Sequence, residues 1–171
     1  MKQAGRIVII TGAAGGIGRA LVDALATDED IVVAVDLPGS GVIELARGLG
    51  PPHLGLEFDV SREEDILALY EGIEAQFAQV GVLVNNAAMG PTMAATVDTT
   101  IEAFRRVLAV NLIGPFAMAR EAARRMEQGA VIVNVASLAG VLGAGMRGGV
   151  EGHSRDGGST GLCTHADGLG T

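Results

Sequence analysis

Unbroken apolar runs and helical stripes alternate along the chain as far as residue 135. Residues 6–10 hold four apolar residues in succession, Ile7 to Ile10, and read as a strand. Runs of this kind belong to strands covered on both faces, whereas half-exposed strands alternate. Residues 16–26 follow as a helix with Ile17, Leu21 and Leu25 on one face. Residues 31–35 form a second strand, 42–47 a short helix and 54–58 a third strand. A helix opens at Ser61, where Ser61 and Glu64 have the spacing of a capping box, and it carries Ile66, Leu69, Ile73 and Phe77 at helical spacing. Residues 82–84 form a fourth strand. A second capping box, Thr99 with Glu102, opens a long helix to about Met126, and residues 130–135 form a fifth strand.

Strand and helix in strict alternation imply parallel strands joined by right-handed crossovers. The predicted fold is an α/β, doubly wound parallel sheet in the order 3-2-1-4-5. From Gly143 to Thr171 the pattern stops, with ten glycines in 29 residues. No strand-length apolar run and no helical stripe occurs there, so 143–171 reads as an irregular glycine-rich tail behind a domain of residues 1–142. The sheet is then expected to lack its next helix and strand, leaving the fifth strand's Val-Ile-Val edge open to aggregation.

Composition narrows the function classes. Apolar residues make up 49% and charged residues 19%, which fits a packed domain and excludes a disordered one. A net charge of −8 argues against nucleic acid as a partner. Arg105, Arg106, Arg120, Arg124 and Arg125 lie in one helical segment beside Glu102, Glu121 and Glu127, so a solvated helix face is expected there. Cys163 is the single cysteine, which excludes an internal disulfide and fits the cytoplasm. No leader is apparent and no apolar stretch is long enough to span a membrane.

The candidate chemistry starts at Thr11-Gly12-Ala13-Ala14-Gly15-Gly16-Ile17-Gly18, between the first strand and the first helix. Gly12 permits a tight turn, and the missing side chains at Gly16 and Gly18 let a pyrophosphate approach the helix N-terminus. The alternative is a turn that serves only strand–helix packing. Asp36 ends the second strand 18 residues beyond Gly18, near the spacing at which a carboxylate meets the adenosine ribose hydroxyls. It would accept hydrogen bonds from NAD and repel the additional phosphate of NADP. The alternative is a surface turn at Asp36-Leu37-Pro38-Gly39. Asn111 lies four residues before Pro115, which has no N–H, so the helix should be irregular near Gly114-Pro115 with the carbonyl of residue 111 released. A simple packing kink remains the other reading.

With these residues in place, the chain resembles the short-chain dehydrogenase/reductase family in its small, single-domain form. The resemblance rests on Thr11 through Gly18, Asp36, Asp59-Val60, Asn85-Asn86-Ala87-Ala88, Asn111 and Ser137, and covers residues 5 to about 142. It implies a Rossmann-like fold and an oxidoreductase moving hydride between NAD and a small alcohol or ketone. It implies that Thr11, Gly12, Gly16, Ile17 and Gly18 hold the cofactor with Asp36, that Asp59 and Val60 lie by the adenine, and that Asn86 and Ala87 line its site. Ala88 departs from the family's glycine. Asn111 would hold a water of the proton relay and Ser137 would hydrogen-bond the substrate oxygen.

The family also places a tyrosine about a dozen residues after the serine and a lysine four beyond it. Val150 and Ser154 stand there, and the chain's one tyrosine and one lysine are Tyr70 and Lys2. Tyr70 is expected to pack. Little turnover is therefore expected, with a catalytically inactive dinucleotide-binding remnant or regulatory protein as the alternative, arising by truncation or a shifted reading frame near residue 143. The family's homo-oligomer is expected to be impaired. His153, Asp156, Cys163, His165 and Asp167 match no metal-ligand spacing, and His53 reads as a loop residue.

Overall fold

A computed structural model describes residues 5–27, 29–77, 79–90 and 96–137. The expected tail at 143–171 and the positions of Val150 and Ser154 lie outside the described residues. The elements run β1 (Arg6–Thr11), α1 (Gly16–Leu25), β2 (Asp30–Asp36), α2 (Val42–Leu49), β3 (Leu54–Glu57), α3 (Glu63–Gln76), β4 (Val80–Asn85), α4 (Ile101–Leu108), a π-helical segment (Ala109–Ile113), α5 (Gly114–Ala123) and β5 (Val131–Asn134). The five described strands are parallel, in the order β3-β2-β1-β4-β5, as the alternation predicted.

Successive side chains of a strand point to opposite faces, and this divides the apolar runs between two cores. Ile7 and Ile9 of β1, Ile31 and Val33 of β2 and Leu83 of β4 face one way, against Leu69, Tyr70 and Ile73 of α3 and Met118 and Ala122 of α5. Val8, Ile10, Val32, Ala34 and Val84 face the other way, with Val22 of α1 and Val42 of α2. Both faces of the central strands are thus covered, which is why their sequences are continuously apolar. All five strands run with their C-terminal ends on one edge, and the loops leaving that edge carry the glycine-rich turn, Asp36, Asp59, Asn86 and Ser137.

Four local expectations are corrected. The Ser61–Glu64 capping box does not form: Arg62 is the N-cap of α3, and no side chain caps it. Ser61 instead turns back, its N–H (2.9 Å) and its hydroxyl (2.7 Å) both donating to Asp59 Oδ1. A carboxylate two residues away competes successfully for the serine. The second cap falls one residue later than Thr99: Thr100 Oγ1 accepts from the Ala103 N–H at 3.1 Å. Ile17 does not join the apolar face of α1; it is 62% exposed, and Gly18 and Val22 are buried in its place.

The arginine-rich segment is not a uniformly solvated face either. Glu121 is buried and bonds Arg125 (2.7 Å), Arg124 (2.7 Å) and Arg120 (3.0 Å). The hydrogen bond from Arg125 holds the Glu121 carboxyl below its ordinary value, against the opposing effect of burial. Arg125 also lies over the ring of the buried Tyr70, 5.2 Å from its centre. The Tyr70 hydroxyl donates to the Met118 carbonyl at 2.9 Å, so Tyr70 packs α3 against α5, and burial pushes its ionisation upward.

Candidate active site

The glycine-rich turn is held from both sides by backbone-directed side chains. Thr11 ends β1 and is buried; its hydroxyl donates to the Val84 carbonyl (3.4 Å) and accepts from the N–H groups of Asn86 and Ala87 (3.0 Å each). The Asn86 carboxamide donates to the carbonyls of Thr11 (3.0 Å) and Gly12 (3.1 Å). This ties the loop after β4 to the turn after β1. Thr11 is therefore placed behind the turn, while Asn86 and Ala87 stand at its rim.

Gly12 and Gly18 are glycines because the backbone closes on them. Gly12 has φ +65°, and a Cβ there would lie 2.7 Å from Ala87 Cα. A Cβ on Gly18 would lie 2.0 Å from the Gly12 carbonyl oxygen. Gly16 is different: a Cβ there would meet nothing within 4 Å. No side chain caps the N-terminus of α1, and its first turn carries no carboxylate. The helix therefore presents its N-terminal N–H groups and positive dipole end across an open glycine, which suits a phosphate.

Asp36 at the end of β2 accepts from the Ala14 N–H at one oxygen and the Leu37 N–H at the other, 2.8 Å each. It thereby fixes the turn after β1 against the loop after β2. Its remaining lone pairs leave capacity for two hydroxyl donors. Beyond β3, Asp59 is fastened by Ser61, and its backbone N–H donates to Asp65 at 3.2 Å. Val60 is also fixed by the far helix, since a Cβ on Gly114 would lie 2.6 Å from the Val60 carbonyl oxygen.

These groups surround one cleft of about 780 Å³. Gly12, Gly16, Ile17, Gly18, Asp36, Asp59, Val60, Asn86 and Ala87 line it, so the structure brings together nine of the residues the sequence singled out. Ala88, which replaces the family's glycine, lines it as well. Gly15 of the glycine-rich turn adds to it, and residues outside the cofactor motifs quoted from the sequence complete the wall: Leu37, Phe58, Ser61, Met89, Arg106, Ala109 and Val110. Leu37, Phe58 and Ser61 adjoin motif residues and could have been found by proximity. Arg106 of α4 and Ala109 and Val110 of the π-helical segment carry no local signal; only the packing of these helical turns brings them to the cleft.

Asn111 and Ser137 do not line this cleft. Asn111 sits in the π-helical segment, where the Gly114 N–H reaches back five residues to the Ala109 carbonyl. The irregularity expected before Pro115 is thus a widened turn. The Asn111 side chain clamps the loop after β4, accepting from the Met89 N–H (2.8 Å) and donating to the Met89 carbonyl (2.9 Å). Ser137 is exposed, three residues beyond the end of β5.

The short chain dehydrogenase family model matches residues 6–148. The chain belongs to the short-chain dehydrogenase/reductase family. An uncharacterized short-chain type dehydrogenase/reductase of Sinorhizobium fredii is 63% identical over 141 residues, which are 82% of this chain and 26% of that protein. The D-threitol dehydrogenase of Mycolicibacterium smegmatis is 34% identical over 143 residues, 81% of this chain and 55% of the relative. The chain therefore spans between about a quarter and about half of these relatives. Among solved structures, a 3-ketoacyl-(acyl-carrier-protein) reductase of Brucella melitensis in complex with NADH aligns with a TM-score of 0.74 at 31% identity, over 80% of this chain and 59% of its own. A short-chain dehydrogenase/reductase of the same organism, described as a glucose/ribitol dehydrogenase, gives a TM-score of 0.77 at 27% identity, over 85% and 63%. The family's oxidoreductase character and its parallel sheet are thus those of this chain's relatives. Among the described residues no helix is long and apolar enough to cross a membrane.

Proposed function

We propose that this chain is an NAD-binding member of the family whose site is built for hydride exchange with a small alcohol or ketone, and which by itself turns over little. The observation that carries the reading is the 780 Å³ cleft in which the open Gly16, the uncapped α1 terminus and the Asp36 carboxylate converge. When bound, the nicotinamide would supply the hydride acceptor or donor. The chain's own residues do the holding. The α1 terminus takes the pyrophosphate, Asp36 accepts from the adenosine ribose hydroxyls, and Asp59 and Val60 border the adenine. The side chain of Asn111 is committed to Met89, so its backbone carbonyl is the group left to hold a water. Ser137 would donate to the substrate oxygen.

Asp36 supports NAD over NADP, because a second negative charge beside the ribose opposes a 2′-phosphate. Low turnover is supported by Val150 and Ser154 at the positions of the family's acid/base pair. A general acid–base group contributes roughly 10² to 10⁴ in rate. The test is calorimetric titration of the 171-residue chain with NADH and NADPH, followed by a dehydrogenase assay over a panel of secondary alcohols and ketones. The expected result is tighter binding of NADH with turnover at or near background. No binding of either nucleotide overturns the reading, and vigorous turnover overturns its second half.

A further inference from the structure

Beyond the N-terminus of α1, the charged side chains that line the cleft are unfavourable for the ligand assigned to it, apart from one. Two carboxylates, Asp36 and Asp59, line it, and the whole chain carries a net charge of −8. A dinucleotide brings a pyrophosphate with further negative charge. Arg106 is the one basic side chain among the described residues that line the cleft. It projects from α4 on the same face as Ala109 and Val110, three and four residues on, which also line the wall.

Arg106 is also uncommitted. Most described arginines have a partner: Arg6 pairs with Asp30, Arg47 with Glu44, Arg62 with Glu64, and Arg120, Arg124 and Arg125 with Glu121. Arg19 donates to the Ala14 carbonyl. Arg106 is exposed and makes no ion pair or hydrogen bond among the described residues. Its charge is therefore not neutralised locally, and its field acts across the cleft, where low-dielectric walls concentrate it.

We propose that Arg106 is a positioning residue for the dinucleotide, supplying the positive charge that draws the phosphate-bearing ligand into the cleft and offsets the Asp36 and Asp59 carboxylates. This rests on the dinucleotide reading above. The role is one of charge, not of shape. A lysine should preserve it, and salt should erase it, because screening acts within about 10 Å at 0.1 M ionic strength. For a cation at the rim of a solvated cleft the expected loss is roughly threefold to fivefold in affinity, the upper range for exposed charge pairs.

The experiment is fluorescence titration of NADH into the wild-type chain, Arg106→Gln and Arg106→Lys, each at about 20 mM and about 500 mM salt. Because the side chain is exposed and unpartnered, all three should melt together. The expected result is that Arg106→Gln binds three to five times more weakly than wild type at low salt, that Arg106→Lys stays within twofold of it, and that the three converge at high salt. Two results overturn the proposal. One is equal binding by Arg106→Gln at low salt. The other is an equal loss in both variants that persists at high salt, which would mean guanidinium stacking. A wild-type chain that binds no NADH at either salt overturns the dinucleotide reading itself, which separates the two failures.

Discussion

Gly18 and Gly16 lie two residues apart in the first turn of α1, and their surroundings are opposite: backbone closes on Gly18, while Gly16 faces open space. A Cβ on Gly18 would lie 2.0 Å from the Gly12 carbonyl oxygen and 2.7 Å from Ala13 Cα, both rigid backbone atoms. Restoring ordinary contact at 3.4 Å requires α1 to withdraw from the turn by about 1.4 Å. Overpacking of this kind costs roughly 1–3 kcal/mol. Replacing a helical glycine by alanine returns up to about 1 kcal/mol. With a backbone oxygen only 2.0 Å away the overpacking cost lies in the upper part of its range, about 2–3 kcal/mol, so Gly18→Ala should lose about 1–2 kcal/mol net, or about 5 °C in melting temperature for a domain of this size. A Cβ on Gly16 meets nothing within 4 Å, so Gly16→Ala should melt within about 0.5 kcal/mol of wild type. Its methyl group would stand in the space proposed for the phosphate, and it should still weaken NADH binding at least about tenfold, or 1.4 kcal/mol. Urea unfolding followed by circular dichroism, with NADH titration of each variant, reads both effects. If Gly16→Ala bound NADH as wild type does, the open glycine would be a bystander. If Gly18→Ala unfolded with the wild-type midpoint, the close approach of helix and strand would be wrong.

Three further outcomes follow from the same geometry. Glu121→Gln should destabilise the chain by about 1–2 kcal/mol, below the full cost of breaking a buried pair, because Arg125 and Arg120 keep ion pairs with Glu74 and Glu63 and the exposed Arg124 can be resolvated. The folded-state ionisation of Glu121 is depressed, so its contribution is present above the ordinary glutamate range and lost as pH falls through the lower folded value. Unfolding at pH 7 and in that acid range should show Glu121→Gln flattening the decline, and an unchanged acid limb would count against the network. Tyr70→Phe should lower stability by about 1 kcal/mol through loss of the bond to the Met118 carbonyl, and should leave NADH affinity unchanged; altered affinity would mean that Tyr70 communicates with the cleft. Asp36→Ser should lower the NADH-to-NADPH affinity ratio by roughly tenfold, a change of about 1.4 kcal/mol readable by calorimetry. An unmoved ratio would remove Asp36 from cofactor choice.

The sheet was legible because its signal is local and redundant. Ile7 to Ile10 and Ile31 to Val35 are too uniformly apolar for a half-exposed sheet, and the alternation of elements leaves few topologies. Cap positions were less legible. Thr99 and Thr100 are equivalent by type, and Ser61 had a nearer partner in Asp59 than the helix it adjoins. Most of the cleft could be read because its residues cluster in short motifs at strand ends. Arg106 could not, since it lies in a helix rich in arginine and only three-dimensional packing distinguishes it from Arg105. Glu121 escaped for a similar reason. Its charge pattern is that of a surface helix, and its burial depends on α3 packing against α5.

The most direct test of the account is a crystal structure of the chain grown with NADH. The pyrophosphate should lie against the N-terminus of α1 over Gly16, with the adenosine ribose hydroxyls on Asp36. Nucleotide density elsewhere on the molecule, with the cleft beside the turn after β1 unfilled at saturating NADH, would contradict it.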